Sequence, residues 1–276
     1  MMFQPPMAAK PGCRKCPLSS LTLLGGQDKD GQPEALSLEV RLGEILCIVG
    51  PTGSGKSRLL ADIECLAQGD TPSGRRVLVN GQEPDPVWRF GSNRRLIAQL
   101  SQNMNFVVDL TVGEFLALHA RCRQVEEPER VAAEVVACAN DLAGEAFGPA
   151  TSLTQLSGGQ SRALMIADTA LLSVSPIVLI DEIENAGIDR RKALDLLVAK
   201  DKIVLVSTHD PILALMGGRR IVIGNGAVKK VIETSYLERA ALEELHRLDA
   251  CMMDIRHRLR AGDRIEDQGS AIAWTL

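Results

Sequence analysis

Nothing in this chain approaches the ~18 consecutive apolar residues that cross a bilayer. The longest apolar candidates, around Ile177–Ile180 and Ile203–Val206, have the length of buried strands. The opening segment, Met1 to Lys10, holds two prolines and no apolar h-region, which argues against a secretory signal. The expected location is the cytoplasm, and any service to the inner face of a membrane would pass through a partner chain. Excess basic charge is missing too: 31 Lys and Arg face 35 Asp and Glu, a formal net charge of -4. That balance calls for no nucleic-acid partner. Seven cysteines, an odd number, fit a reducing compartment better than a disulfide framework. No internal repeat or low-complexity segment is present.

What is there reads as one large α/β unit, with 45% hydrophobic and 24% charged residues across 276 positions. Residues 1–17 are irregular, with four prolines and a C-x-x-C formed by Cys13 and Cys16. Two strands flank a turn at Gly25–Gln32. Glu44–Val49 is a short buried strand running into a Gly-rich loop, and Ser57–Ala67 continues as a helix. Strands follow at Val77–Asn80 and Arg95–Leu100. The chain is then helical from Thr111 to about Leu142, with a break near Glu127-Pro128, and again from Gly159 to about Leu172. Ile177–Asp181 and Ile203–Ser207 are continuously apolar strands, as parallel sheets buried on both faces produce. Helix Arg190–Ala199 lies between them, and a hairpin spans Arg220–Glu233. This alternation predicts a mostly parallel sheet covered by helices, interrupted by a helical insert. Cys47, Cys65, Cys122, Cys138 and Cys251 sit in apolar patterns and are expected as core fillers.

Three motifs carry chemistry. Gly50-Pro51-Thr52-Gly53-Ser54-Gly55-Lys56-Ser57 fits G-x-x-x-x-G-K-[ST] at every position, between a strand and a helix. Its glycines let backbone N–H groups curl around phosphate oxygens, and the helix that follows turns its positive end to the same charge. Lys56 would reach the β- and γ-phosphates, and the Ser57 hydroxyl would ligate Mg²⁺. Leu156-Ser157-Gly158-Gly159-Gln160 precedes a helix, and Ile180-Asp181-Glu182 ends an apolar strand in two carboxylates. Asp181 is placed to hold Mg²⁺ and Glu182 to activate water.

Leu156–Gln160 resembles the signature of ATP-binding cassette (ABC) proteins without a mismatch, and Asp181-Glu182 resembles their Walker B element. Gln102, eight residues before Leu110-Thr111-Val112, is similar to the Q-loop glutamine, which touches the metal or the lytic water. His209, in Ser207-Thr208-His209-Asp210, resembles the switch histidine, and Asp189 the D-loop aspartate. The resemblance covers about Leu18 to Glu233. It implies a P-loop NTPase core with a mostly parallel sheet, an antiparallel β subdomain and a helical signature subdomain at about 103–160. Residues 18–235 would form the ATPase domain, and 236–276 a C-terminal helix and tail. It further implies ATP and Mg²⁺ as ligands and catalytic roles for Glu182, His209 and Gln102. Gln102 would join Ser57 and Asp181 at the metal. One chain's Ser157, Gly158, Gly159 and Gln160 would complete the phosphate site on another's Gly50–Ser57. A homodimer, or a heterodimer with another ABC subunit, follows.

The chain departs from that family in four places. Leu18–Leu24 contains no aromatic to stack on adenine, and the sole tyrosine, Tyr236, lies far downstream. Adenine would then need aliphatic contacts or a basic side chain. Ile183 stands where transporter subunits have proline after the glutamate, and the run to Asp189 has one extra residue. Ala241, Leu245, Leu248, Met252, Ile255 and Leu259 form an a/d stripe, which either covers the chain's own domain or pairs with a second helix. Cys13 and Cys16 are either incidental or half of a zinc or iron–sulfur site completed by a partner. The expected role is the ATP-hydrolysing subunit of a membrane transporter whose spans belong to other chains. The alternative is a soluble ABC-type ATPase that remodels a protein client, such as a metalloenzyme or a metallocofactor assembly.

Overall fold

A computed structural model describes residues 18–91, 96–101, 106–182 and 188–265. Its centre is a six-stranded sheet built from β3 (Ile45–Val49), β5 (Ile97–Leu100), β6 (Ile177–Asp181), β7 (Ile203–Ser207), β8 (Arg219–Gly224) and β9 (Ala227–Glu233). The order is β5-β6-β7-β3-β8-β9, parallel except for the β8–β9 hairpin at one edge. A separate antiparallel sheet has the order β2-β1-β4, from β1 (Ser20–Leu24), β2 (Ser37–Arg41) and β4 (Arg76–Val79).

Period-two alternation in the central strands decides which side each helix covers. Ile177 and Leu179 of β6, with Ile203 and Leu205 of β7, pack into a cluster with the small sheet and α1 (Lys56–Glu64). Val178, Ile180, Val204 and Val206 point the other way. They meet α3 (Val112–Cys122), α4 (Pro128–Leu142), α5 (Gly158–Leu171) and α6 (Arg190–Ala199). Each such aliphatic side chain, buried, is worth about 1.5–3 kcal/mol. The helical insert thus shares its core with one sheet face and has no separate core. The break between α3 and α4 falls where the sequence places it: Pro128 is the first residue of α4, where its missing N–H costs nothing.

Several details differ from the sequence reading. Helix α1 stops at Glu64, because Leu66 enters the left-handed region (φ 49°) and turns the chain back toward β4. Two short helices were not foreseen, α2 (Pro86–Phe90) and α7 (Pro211–Met216), capped by Asp85 and Asp210 respectively. Of the five cysteines expected in the core only Cys47 is buried; Cys65, Cys122 and Cys251 are exposed and Cys138 is intermediate. They occupy boundary positions at helix ends or on outward faces, where an apolar neighbourhood in sequence does not fix the direction of the side chain. Cys13 and Cys16 lie outside the described residues.

The C-terminal helix α8 (Tyr236–Ala261) begins with a capping box: Ser235 Oγ accepts from Glu238 N, and Glu238 accepts from Ser235 N. Glu238 also pairs with Arg220, and these hydrogen bonds, Arg220's foremost, hold its carboxyl down to about 2. Helix α8 packs against α7. Leu245 and Ile255 of the predicted stripe are half-buried, as is Asp249 beside it, whereas Ala241 is exposed and Leu248, Met252 and Leu259 stay about half exposed. The a/d stripe is therefore split, and the domain covers only part of it. No helix among the described residues is long and apolar enough to cross a membrane.

Candidate functional site

Gly50–Ser57, Asp181, Glu182 and His209 gather at the C-terminal ends of β3, β6 and β7, where open α/β sheets place their ligand crevices. Strand β3 delivers Gly50–Ser57 to the start of α1. Glycine is required at two points of this loop. A Cβ on Gly50 would lie 2.5 Å from the Ile223 carbonyl oxygen, and one on Gly55 (φ 112°) would lie 2.8 Å from Gly226 Cα. Gly55 also leaves α1 without a side-chain cap, so its first N–H groups remain available to an anion.

Lys56 is buried beneath the loop. Its ammonium donates to the carbonyls of Gly50 (2.9 Å) and Pro51 (3.3 Å) and lies 3.0 Å from His209 Nε2. That spacing puts the His209 ring and the ammonium in direct polar contact. Glu182 follows β6 in the left-handed region (φ 53°), its N–H held by the Ser207 carbonyl at 3.1 Å. A non-glycine residue there carries a conformational cost. The turn brings Glu182 Oε1 to 3.6 Å from His209 Nε2. Lys56, Glu182 and His209, far apart in sequence, thus stand side by side.

Asp181 ends β6 opposite Ser207 of β7, whose buried hydroxyl has no hydrogen-bond partner among the described residues. Oxygen donors from Ser57 and Asp181 suit a hard divalent cation that shares its shell with phosphate and water. Among the described residues no group of three or more His, Cys, Asp or Glu side chains is placed to hold a metal alone. Gln102 and residues 183–187 lie outside the described residues.

Ser157 and Gln160 form a capping box on α5: Gln160 N donates to Ser157 Oγ (3.2 Å), and Ser157 N donates to Gln160 Oε1 (2.9 Å). Helix α5 belongs to the hydrophobic cluster on one face of the sheet and α1 to the cluster on the other. The phosphate loop and the signature thus open helices that pack into different clusters. Asp189 caps α6, accepting from Lys192 N at 3.1 Å.

Two neighbours of the loop escaped the sequence reading. Lys29, between β1 and β2, donates to the Gly53 carbonyl at 2.7 Å and so sets a basic side chain against the loop. Its only signal was a lysine where the family expects a ring nearby. Arg75, in contact with Glu34, Asp62 and the Gly226 carbonyl, braces the hairpin that abuts Gly55.

A family model described as ABC transporter matches residues 33–185. An uncharacterised ABC transporter ATP-binding protein of Methanocaldococcus jannaschii is 52% identical over 249 residues, 90% of this chain and 95% of that protein. The chain belongs to the ABC family. Other ABC relatives are longer: a macrolide export ATP-binding/permease protein of Hyphomonas neptunium is 30% identical over 76% of this chain, which spans only 33% of it. Among solved structures, an ATP-binding cassette dimer in a post-hydrolysis state with ADP and Pi aligns at TM-score 0.58 and 25% identity. It covers 78% of this chain and 99% of its own. As an ABC ATPase the protein binds and hydrolyses ATP.

Strand β1 carries no aromatic side chain that could stack on a base. Strand β1 is buried in the small sheet and offers aliphatic residues, with Lys29 beyond its end. An aromatic partner is worth ~0.5–1.5 kcal/mol beyond area burial, and its loss should leave the ATP-over-GTP preference within about tenfold. Competition binding with both nucleotides measures this directly. A preference well above tenfold would require a dedicated adenine pocket.

Proposed function

We propose that this ABC ATPase is the motor subunit of a membrane transporter, two copies closing around two ATP at the cytoplasmic face of spans made by other chains. The observation that supports this reading is that the phosphate loop leads into α1 and the signature opens α5, helices packed in different clusters, so that another copy's Ser157–Gln160 would complete each loop. The dimer with ADP and Pi to which the chain is similar supports the same arrangement. Relatives described as transporter proteins favour transport over client remodelling, and nothing in the comparisons favours the latter.

In this reading the backbone N–H groups of Gly53–Ser57 and the Lys56 ammonium hold the β- and γ-phosphates. Lys56 exchanges its carbonyl contacts for phosphate oxygens when ATP enters. Ser57 and Asp181, with Gln102, would hold Mg²⁺, which supplies charge neutralisation on the phosphates. Glu182 takes a proton from the attacking water as its oxygen bonds to the γ-phosphorus. The bond from that phosphorus to the bridging oxygen breaks, and ADP and phosphate leave. His209 steadies the γ-phosphate between Lys56 and Glu182. The partner's signature helix presents its N-terminus to the same charge.

The surface toward the membrane partner would be Asn103–Phe115. Its described part supports this: Val107 is 91% exposed beside Phe106, whose ring packs edge-on against Phe115 at 5.2 Å. A multi-spanning membrane protein should co-purify with the chain from detergent-solubilised membranes. A soluble metalloenzyme in its place would favour the client reading.

Composite sites have their own test. Ser157→Arg and Lys56→Ala chains should each be inactive, yet regain part of the activity when mixed. Their heterodimer keeps one intact site, made by the loop of the first and the signature of the second. Full activity of either variant alone would refute the composite site.

A further inference from the structure

We propose that Asp249 on the C-terminal helix is a positioning residue for ATP hydrolysis, acting through Arg190 on the turn that carries His209. The proposal rests on the role given above to His209. Arg190 opens α6 directly after Asp189 and spreads its guanidinium between two other elements. Nη1 pairs with the Asp210 carboxylate, and Nη2 donates to Asp249 Oδ2 at 2.6 Å. One cation therefore ties together the start of α6, the turn after β7 and the middle of α8.

Asp210 is held from three directions. Its Oδ1 accepts from Ile212 N at 2.7 Å as the cap of α7, its own N–H donates to Thr208 Oγ1 at 3.0 Å, and its Oδ2 takes Arg190. His209 sits between Thr208 and Asp210, so its backbone is fixed by these bonds, and its ring reaches Lys56 and Glu182. The contacts form a continuous route from α8 to the hydrolytic site. Arg190 and Asp210 are largely shielded from solvent and Asp249 is half-buried, which limits screening at the Arg190–Asp210 pair most.

A guanidinium anchored at both ends has one orientation. Without Asp249, Arg190 is free to rotate about its remaining contact or to leave Asp210 for water, and the His209 turn loses a restraint. Helix α8 itself does not depend on Asp249, because its start is fastened by the capping box and by the Glu238–Arg220 pair. The loss is thus expected in turnover and not in folding.

The test is Asp249→Asn in the full chain, with Asp249→Glu and the outward-facing Asp254→Asn beside it. Asp249→Asn should lower kcat about threefold to tenfold, the range expected for a residue on a coupling route. KM for ATP and Tm should stay near wild type, and hydrogen exchange in residues 207–213 should quicken. Asp249→Glu, which keeps the carboxylate, should recover most of the loss, and Asp254→Asn should match wild type. Wild-type kcat in Asp249→Asn would overturn the proposal. So would equal losses in the Asn and Glu variants that follow a fall in Tm. His209→Ala is the check on the underlying reading: full turnover there removes the assigned role of His209, whereas loss there with a normal Asp249→Asn removes only the route through α8.

Discussion

Replacing Glu182 with Gln is expected to slow steady-state phosphate release by about 10²–10⁴-fold, the usual contribution of a positioned general base, while leaving ATP affinity unchanged. The substitution is nearly isosteric and keeps the left-handed backbone at this position, whose N–H is held by the Ser207 carbonyl. Neither the phosphate loop nor Lys56 touches the altered atom's hydrogen-bonding role. The amide simply cannot accept the water's proton. ATP should therefore enter, close the pair of subunits and remain, and light scattering should report a dimer that persists with ATP and disperses with ADP. Lys56→Ala should give the opposite pattern, because it removes the cation that meets the phosphates, so binding itself fails. Nucleotide titration with a fluorescent analogue separates the two. Near-normal turnover in Glu182→Gln would transfer the base role to Glu184.

The contrast between those variants was legible before any coordinates, because a phosphate loop is a local device. Gly50, Gly55, Lys56 and Ser57 work through backbone shape over eight residues, and the sequence carries that shape in full. The strands were legible for a related reason: Ile177–Ile180 and Ile203–Val206 are apolar on both faces, which few other structures tolerate. What was not legible depends on direction across space. Cys65 and Cys122 sit among apolar neighbours yet point outward, and periodicity alone did not assign them a face. The stripe on α8 divides between α7 and solvent because only part of the helix has a neighbour to pack on, which its own sequence does not contain. Asp210-Pro211 carries a helix-start signal, an aspartate cap followed by proline at the first helical position, and α7 begins there. A buried ionic group formed by residues far apart in sequence, Arg75 with Glu34 and Asp62, leaves no local pattern to read.

The Arg75 side chain is 1% exposed, and those of its partners Glu34 and Asp62 are 0% and 3% exposed. The guanidinium forks onto Glu34 at 2.7 and 2.9 Å, reaches Asp62 at 3.0 Å and donates to the Gly226 carbonyl at 2.6 Å. The carboxylates are further served by the Gly26 and Val228 N–H groups and the Ser73 hydroxyl. Arg75→Ala should cost about 3–5 kcal/mol, since it strands two buried carboxylates without their cation. Against a typical total of ~5–15 kcal/mol, that is enough to lower Tm sharply or to prevent folding. Arg75→Lys should fall between, because an ammonium is a point charge and cannot fork onto Glu34 while also reaching Asp62. The consequences extend to ATP. Gly226, held by Arg75, donates its own N–H to the Ser54 carbonyl at 2.7 Å, and its Cα lies against Gly55. If Arg75→Lys folds, its ATP affinity should drop more than its stability alone requires, whereas the apolar triple replacement Glu34→Leu, Asp62→Leu, Arg75→Met should regain stability without regaining affinity. Thermal melts and nucleotide titration on the same samples distinguish bracing of the phosphate loop from support of the fold alone: full ATP affinity in the refolded triple variant would mean that the buried triad serves stability and does nothing for the loop.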